Sequence, residues 1–222
     1  MKHVCKGAAP QVFEDWTASA TDNWTPSYAD LRGTEKALLH TALLAEQGHV
    51  CCYCGRRIEL GDSHIEHFRP QQSRPVLALA YNNLLASCIR ETQPGAPLHC
   101  GHAKGSEFVE ALNISPLDAA CEGRYQYLLN GQIQPTDARD AQAAYMLSLL
   151  KLDIAFLNNR RAAVVNQVFD AAFLATVTDE ELKILRSVYL SRDEHGRAES
   201  LGHVLARFAE QRLADTPLGE QP

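Results

Sequence analysis

Residues 50–70 read VCCYCGRRIELGDSHIEHFRP. Cys51 and Cys54 form a C-x-x-C knuckle, a spacing that lets two thiolates approach one zinc ion from a tight turn. One pair leaves a tetrahedral site half filled. Cys88 and Cys100 are the best candidates to complete it, because each ends a short ordered piece and the loop between them is rich in Pro and Gly. After the knuckle, Gly61-Asp62 marks a turn, and SHIEHF reads as a strand ended by Pro70. That strand brings a carboxylate, Glu66, beside an imidazole, His67. The segment therefore joins a structural metal site to a polar pair able to do chemistry.

The rest of the composition sets limits. The chain has 222 residues, 45% of them hydrophobic, enough for one compact domain or a small motif embedded in a helical body. It has no run of apolar residues long enough for a membrane span. The opening MKHVCKGAAP lacks the apolar stretch of a secretory signal, so a cytoplasmic location is expected. Seven cysteines, an odd number, argue against a disulfide framework, and five of them fall between Cys51 and Cys100. The net charge of −6 runs against a general nucleic-acid binder. Between Val50 and Lys104, however, Arg56, Arg57, Arg69, Arg74, Arg90 and Lys104 outnumber Glu59, Asp62, Glu66 and Glu91. An acidic remainder around a slightly basic segment suits a partner that supplies positive surface.

Outward from the central segment, hydrophobic periodicity predicts a helix over Tyr28–Gly48, on Leu31, Ala37, Leu38, Ala42 and Leu43. Before it, Trp16 and Trp24 are expected to anchor the opening stretch. The knuckle should lead into a short strand through Ile58, and AKGSEFVEAL reads as a helix. Alternation at Tyr125, Tyr127 and Leu129 before Asn130-Gly131 predicts a β-hairpin. Helices are expected over Ala138–Leu150, Asp153–Ala171, Asp179–Leu190 and Glu199–Leu213, with a disordered tail from Ala214. Val188, Leu190, Leu201, Val204, Leu205 and Phe208 read as core rather than a docking face. The expected organisation is a helical segment over 1–48, a metal-centred core over 49–112 and a hairpin with helices over 113–222, packed as one unit with the core. The fold class is α+β, mostly helical.

Phosphodiester cleavage needs a base to activate water and a divalent ion to neutralise charge on the phosphate and leaving oxygen. His67 can supply the base and Glu66 a hard oxygen ligand. An amide of Asn82-Asn83 can pin the loop that carries the histidine. Cys100-Gly101-His102-Ala103-Lys104 then opens a helix with a second imidazole, His102, as another metal ligand, and with Lys104 placed to meet phosphate. His64 shares a strand face with Glu66 and is an alternative ligand. Each feature also has a plainer reading: a His-Glu-His strand as surface, an Asn pair as a turn, a first-turn lysine as solvated. Their fixed order is what favours the chemical one.

That order, Cys51–Cys54, then Glu66-His67-Phe68-Arg69-Pro70, then Asn83-Leu84, Cys88, and Cys100 to Lys104, resembles the HNH nucleases. The chain looks more specifically like the HNH subunit of Septu-type and retron-linked antiphage systems (PtuB-like). The resemblance rests on EQGHVCCYCGRRI, SHIEHFRPQQSRP, YNNLLASC, HCGHAKG, NISPLDAACEGRYQY and LLKLDIAFLNNRR, and covers roughly Met1 to Ala163. It implies a ββα-metal core with helical flanks and a structural zinc on Cys51, Cys54, Cys88 and Cys100. It implies His67 as general base, Glu66 and His102 on a catalytic magnesium or manganese, Asn83 orienting the His67 loop, and Lys104 and Arg69 toward substrate phosphate. The implied partners are an ABC/SMC-like ATPase, a retron reverse transcriptase with its RNA–DNA product, and a nucleic-acid substrate. Two departures stand out. Eleven residues separate Cys88 from Cys100, which makes His99 an alternative thiol replacement, and Gly101 occupies the place where Asn or His ordinarily follows the last cysteine. The reading from another class is a non-catalytic zinc module that binds protein or nucleic acid.

Overall fold

At the centre lie two antiparallel strands, β1 (Ser63–His67) and β2 (Leu84–Cys88), paired so that Ser63 faces Cys88 and His67 faces Leu84. The computed structural model describes residues 1–215. The LLASC of β2 has no polar face, and every position of it is buried. A helix covers it on one side: α2 (Gly33–Glu46) packs on β2, with α1 (Gln11–Ala18) against α2. The buried Gln47 closes the edge, its amide donating to the carbonyls of Val50 and Ala86 at 2.9 and 2.8 Å while its oxygen accepts from Ala86 N–H at 2.7 Å. An otherwise open strand edge is thus satisfied internally.

The knuckle forms the expected tight turn, but no strand follows it. Val50 bridges Arg57, Gly55 N–H donates to the Cys51 carbonyl and Cys51 N–H to that of Arg56. The Asp62 side chain then takes the Glu59 N–H at 2.7 Å, which turns the chain before a strand can extend. Helix α2 begins at Gly33 rather than Tyr28, because Ser27 to Leu31 close a turn tied by the Ser27 hydroxyl on Asp30. The expected helix after Cys100 shrinks to one turn, α3 (Gly101–Lys104), stopped by Gly105 at φ +55°.

The remaining elements follow as a hairpin and helices. Strands β3 (Tyr125–Tyr127) and β4 (Ile133–Pro135) pair antiparallel, as the alternation predicts. Their turn glycine, Gly131, sits at φ +77° against α5, where an added Cβ would lie 1.9 Å from the Asn158 carbonyl oxygen. Helices α4 (Ala141–Leu149), α5 (Ala155–Val168), α6 (Ala171–Leu174), α7 (Asp179–Leu190) and α8 (Gly202–Asp215) complete the chain. Thr178 and Glu181 form a reciprocal capping box on α7, which fixes its start. Leu201, Val204, Leu205 and Phe208 are core, as expected, whereas Val188 and Leu190 on α7 are exposed. The reason is the helix pair itself: α8 packs against α7, α5 and β3, while the main packing partner of α7 is α8. Trp16 meets Trp24 edge-on, and Trp24 stays 39% exposed. Of the tail expected to be disordered, residues 216–222 lie outside the described residues.

The C-terminal half also reaches back over the knuckle. Arg192 donates to the carbonyls of Ala45 and Glu46, Ala198 N–H to Gly48, and Leu201 N–H to Gly55. Among the described residues, no helix is long and apolar enough to cross a membrane.

Candidate metal centre and catalytic cleft

Cys51, Cys54, Cys88 and Cys100 bring their sulfurs within 4.8 Å of one another, and all four residues are buried. Two come from the knuckle, one from the end of β2 and one from the residue before α3. Cys54 and Cys88 sulfurs are 3.8 Å apart. A zinc–sulfur distance of about 2.3 Å places tetrahedral sulfurs roughly 3.8 Å apart, so the donor set fits zinc. Burial resists ionisation of Cys51, yet hydrogen bonds from the neighbouring thiols, Cys100 first, draw it well below its ordinary pKa. Burial and the Cys51 sulfur push Cys100 well above. Without a cation the cluster cannot hold four thiolates; a bound divalent ion removes that conflict. His99 is buried beside it, with Nδ1 at 3.2 Å from the Cys100 sulfur and 3.6 Å from that of Cys88. It stands as a neighbour of a complete thiol set.

Glu66 lies on β1, buried, with a polar partner at each oxygen. Oε1 accepts from the Tyr53 hydroxyl at 3.1 Å and pairs with the Lys104 ammonium at 2.8 Å. Oε2 faces His64 Nε2 at 3.4 Å. Burial opposes ionisation, but hydrogen bonds and charge from His64 and Lys104 outweigh it and hold the carboxyl below its ordinary value. Lys104 is itself buried and also donates to the His67 carbonyl at 3.0 Å. Its charge is spent on the carboxylate and the strand end. Tyr53, inside the zinc knuckle, had no signal in the sequence; only the folded knuckle brings its hydroxyl under Glu66.

The next residue of β1, His67, opens onto the same cleft, a space of about 360 Å³ lined by Glu66, His67, Gln71, Gly101 and Lys104. Its Nε2 lies 3.0 Å from the Ala78 carbonyl. A carbonyl only accepts, so Nε2 carries the proton and Nδ1 the lone pair, where the Gln71 amide donates at 3.3 Å. Burial lowers the pKa of His67, keeping the ring neutral at neutral pH. Tyr28 packs its edge 4.4 Å from the imidazole. The loop that carries Ala78 is held by Asn83. Its oxygen accepts from Arg69 N–H at 2.8 Å, and its amide donates to the Arg69 and Leu77 carbonyls at 3.0 and 3.1 Å. Asn83 is buried, as a structural amide with three bonds should be.

The other candidates separate. His102 points Nε2 at the Ile89 carbonyl, 2.8 Å away, and its ring lies 4.7 Å from that of His64. Among the described residues no hydrogen bond or ion pair joins His102 to Glu66. Arg69 forks onto Glu110, with Nη2 at 2.6 Å, at the protein surface. Glu66 and His67 thus line one cleft together with Lys104, Asn83 is buried and holds the loop of Ala78, and Arg69 and His102 are engaged elsewhere, on Glu110 and the Ile89 carbonyl.

No family model matches the chain. It is 30% identical over 112 residues to the protein named "Retron Vc95 putative HNH endonuclease" from Vibrio cholerae serotype O1 biovar El Tor. The aligned part is 48% of this chain and 50% of that protein, so the chain spans about half the length of the curated relative it matches. The similarity supports an HNH nuclease family.

Proposed function

We propose that the chain is a metal-dependent HNH endonuclease that hydrolyses phosphodiester bonds of nucleic acid. The carrying observation is the pairing of His67, with Nε2–H committed to Ala78 and Nδ1 held on the cleft side by the Gln71 amide alone, with the buried carboxylate of Glu66 on the same strand. A neutral imidazole with its donor side anchored is a poised general base. His67 Nδ1 takes a proton from water as the oxygen attacks phosphorus, the bond from phosphorus to the leaving oxygen breaks, and that oxygen is protonated from solvent. Asn83 keeps the Ala78 carbonyl under the ring, so the tautomer persists through turnover. Tyr53 and Lys104 hold one carboxylate oxygen of Glu66 and leave the other toward the cleft. Glu66, with an imidazole beside it, would hold magnesium or manganese, which neutralises charge on the phosphate and the leaving oxygen. The four cysteines would hold a structural zinc under a ββα-metal arrangement of β1, β2 and α3.

In this reading the chain is the effector of an antiphage defence complex in the cytoplasm, of the Septu or retron kind, and its core spans 49–112. An ABC/SMC-like ATPase, with a retron reverse transcriptase and its RNA–DNA product, delivers substrate to an enzyme whose own charge is −6. The test is cleavage of duplex DNA, single-stranded DNA and RNA in magnesium or manganese, with and without the ATPase. His67→Ala should lose roughly 10²–10⁴-fold in rate while keeping its zinc. Cleavage by that variant at the wild-type rate would remove His67 as base. Zinc-loaded protein that binds nucleic acid but cuts none of these substrates would favour the non-catalytic zinc module.

A further inference from the structure

We infer that His64, and not His102, shares the catalytic divalent ion with Glu66, in space that Gly101 leaves open. The inference rests on the nuclease reading above and concerns which imidazole completes its metal site. Three independent features carry it.

The first is the contact around Gly101. A Cβ placed on this residue would lie 2.5 Å from Glu66 Oε2 and 2.7 Å from His64 Nε2. Both are well inside any real Cβ contact, so no other residue fits without moving one of them. The imidazole of His64 therefore occupies the room that a side chain at 101 would take. A residue after the last cysteine that lacks a side chain cannot be a ligand, and the donor comes instead from the strand opposite.

The second is the facing of the two donors. His64 Nδ1 lies 2.7 Å from the Ile89 carbonyl, so it carries the ring proton of the neutral tautomer. Nε2 faces Glu66 Oε2 at 3.4 Å, so the two atoms that an ion would join already lie together. Donors bound about 2.1 Å from one ion are separated by roughly 3.0–3.4 Å at right-angle to tetrahedral geometry. Oε1 of Glu66 is already occupied by Tyr53 and Lys104, which leaves Oε2, the oxygen facing His64, to meet an ion. His102, by contrast, spends Nε2 on the Ile89 carbonyl.

The third is the backbone at Ile89, which lies at φ +69°, a conformation that β-branched residues rarely adopt. Its carbonyl accepts from both His64 and His102, fixing both ring orientations. A carbonyl behind the imidazole is the usual outer support of a metal-bound histidine. His102 is then a positioning residue that shares this carbonyl.

A mixed imidazole–carboxylate pair also has a preference: it suits manganese and later divalent ions better than magnesium, which favours oxygen alone. The test is manganese binding to the full zinc-loaded chain, followed by the electron paramagnetic resonance signal of free Mn²⁺, with zinc content measured beside it. Wild type should bind one Mn²⁺ beyond its zinc. His64→Ala and Gly101→Ala should each weaken that binding at least about tenfold with zinc retained, while His102→Ala stays within about threefold of wild type. Loss of affinity in His102→Ala with His64→Ala unchanged, or equal loss in both, would overturn the inference. A Glu66→Gln variant that binds Mn²⁺ like wild type, or a wild type that binds none, would instead bring down the metal-site reading on which it rests.

Discussion

The thiol cluster and the Glu66–His67 cleft meet at one pair of strands, Cys88 ending β2 and Glu66 and His67 on β1, yet they are built in opposite ways. The four sulfurs are buried, mutually close and complete as a ligand set. The cleft is open and lined by Glu66, His67, Gln71, Gly101 and Lys104. Closed sites hold a metal for structure, and open sites keep a position for substrate or water. The shared strands explain why both occur together. Cys88 ends β2 and Cys100 precedes α3, so an ion at the cluster fixes the two elements between which Glu66 and Gly101 meet. Tyr53, a knuckle residue, is the direct link, since its hydroxyl bonds Glu66.

The comparison breaks most sharply at Cys100. Cys100→Ser should abolish tight zinc binding, which in small zinc sites amounts to roughly 10–16 kcal/mol of folding free energy. Metal analysis should fall from about one zinc per chain toward none, and the thermal midpoint should drop by about 10 °C or more. Full zinc retention would show that His99 or Cys52 takes the place of a thiol. Next in size is Lys104. If it serves the carboxylate, Lys104→Ala leaves Glu66 buried and partly unpaired, at a cost of about 3–5 kcal/mol, read from urea denaturation. A solvated, phosphate-facing lysine would change stability by less than about 0.5 kcal/mol and would alter only substrate affinity.

The pH dependence sharpens the cleft side. Burial lowers the pKa of His67 below its ordinary 6.5. The base form is therefore full at neutral pH and is lost only as pH falls through that lowered value. The acid limb of kcat/KM between pH 5 and 8 should have its midpoint below 6.5 in wild type. A midpoint above 6.5 would mean that the Glu66 charge, not burial, governs the ring. The smallest effect belongs to the surface. Glu110→Gln releases Arg69 from an exposed pair and should leave stability almost unchanged, while tightening nucleic-acid binding if Arg69 reaches phosphate. No change in binding, followed by fluorescence anisotropy at fixed salt, would assign Arg69 to the surface pair alone.

Much of the centre was legible in advance. SHIEHF forms its strand, the hairpin turns at Asn130-Gly131, and α7 starts at Thr178, because alternation, turn residues and caps act within a few positions. The knuckle meets Cys88 and Cys100, as the spacing suggested, with all four sulfurs within 4.8 Å of one another. The failures were also local in kind. The strand after the knuckle and the helix after Lys104 are cut short by Asp62 and Gly105, whose effect depends on what the adjoining turns pack against. Val188 and Leu190 look like core in sequence and are exposed, since only the arrangement of α8 decides which face of α7 is covered.

By itself, the order of residues singled out the side chains proposed to carry the chemistry: thiols at metal spacing, an acid beside an imidazole, an amide before the second strand. Residue type and short spacing set donor chemistry, and those survive without a fold. Tertiary structure alone decided their duties. It buried Lys104 under Glu66 rather than leaving it toward solvent, and it set Tyr53 beneath the same carboxylate. It also moved His64 into the space beside Gly101 and turned His102 to the Ile89 carbonyl. Those duties depend on distances between residues far apart in the chain, and a distance of that kind exists only once strands, knuckle and helix have packed.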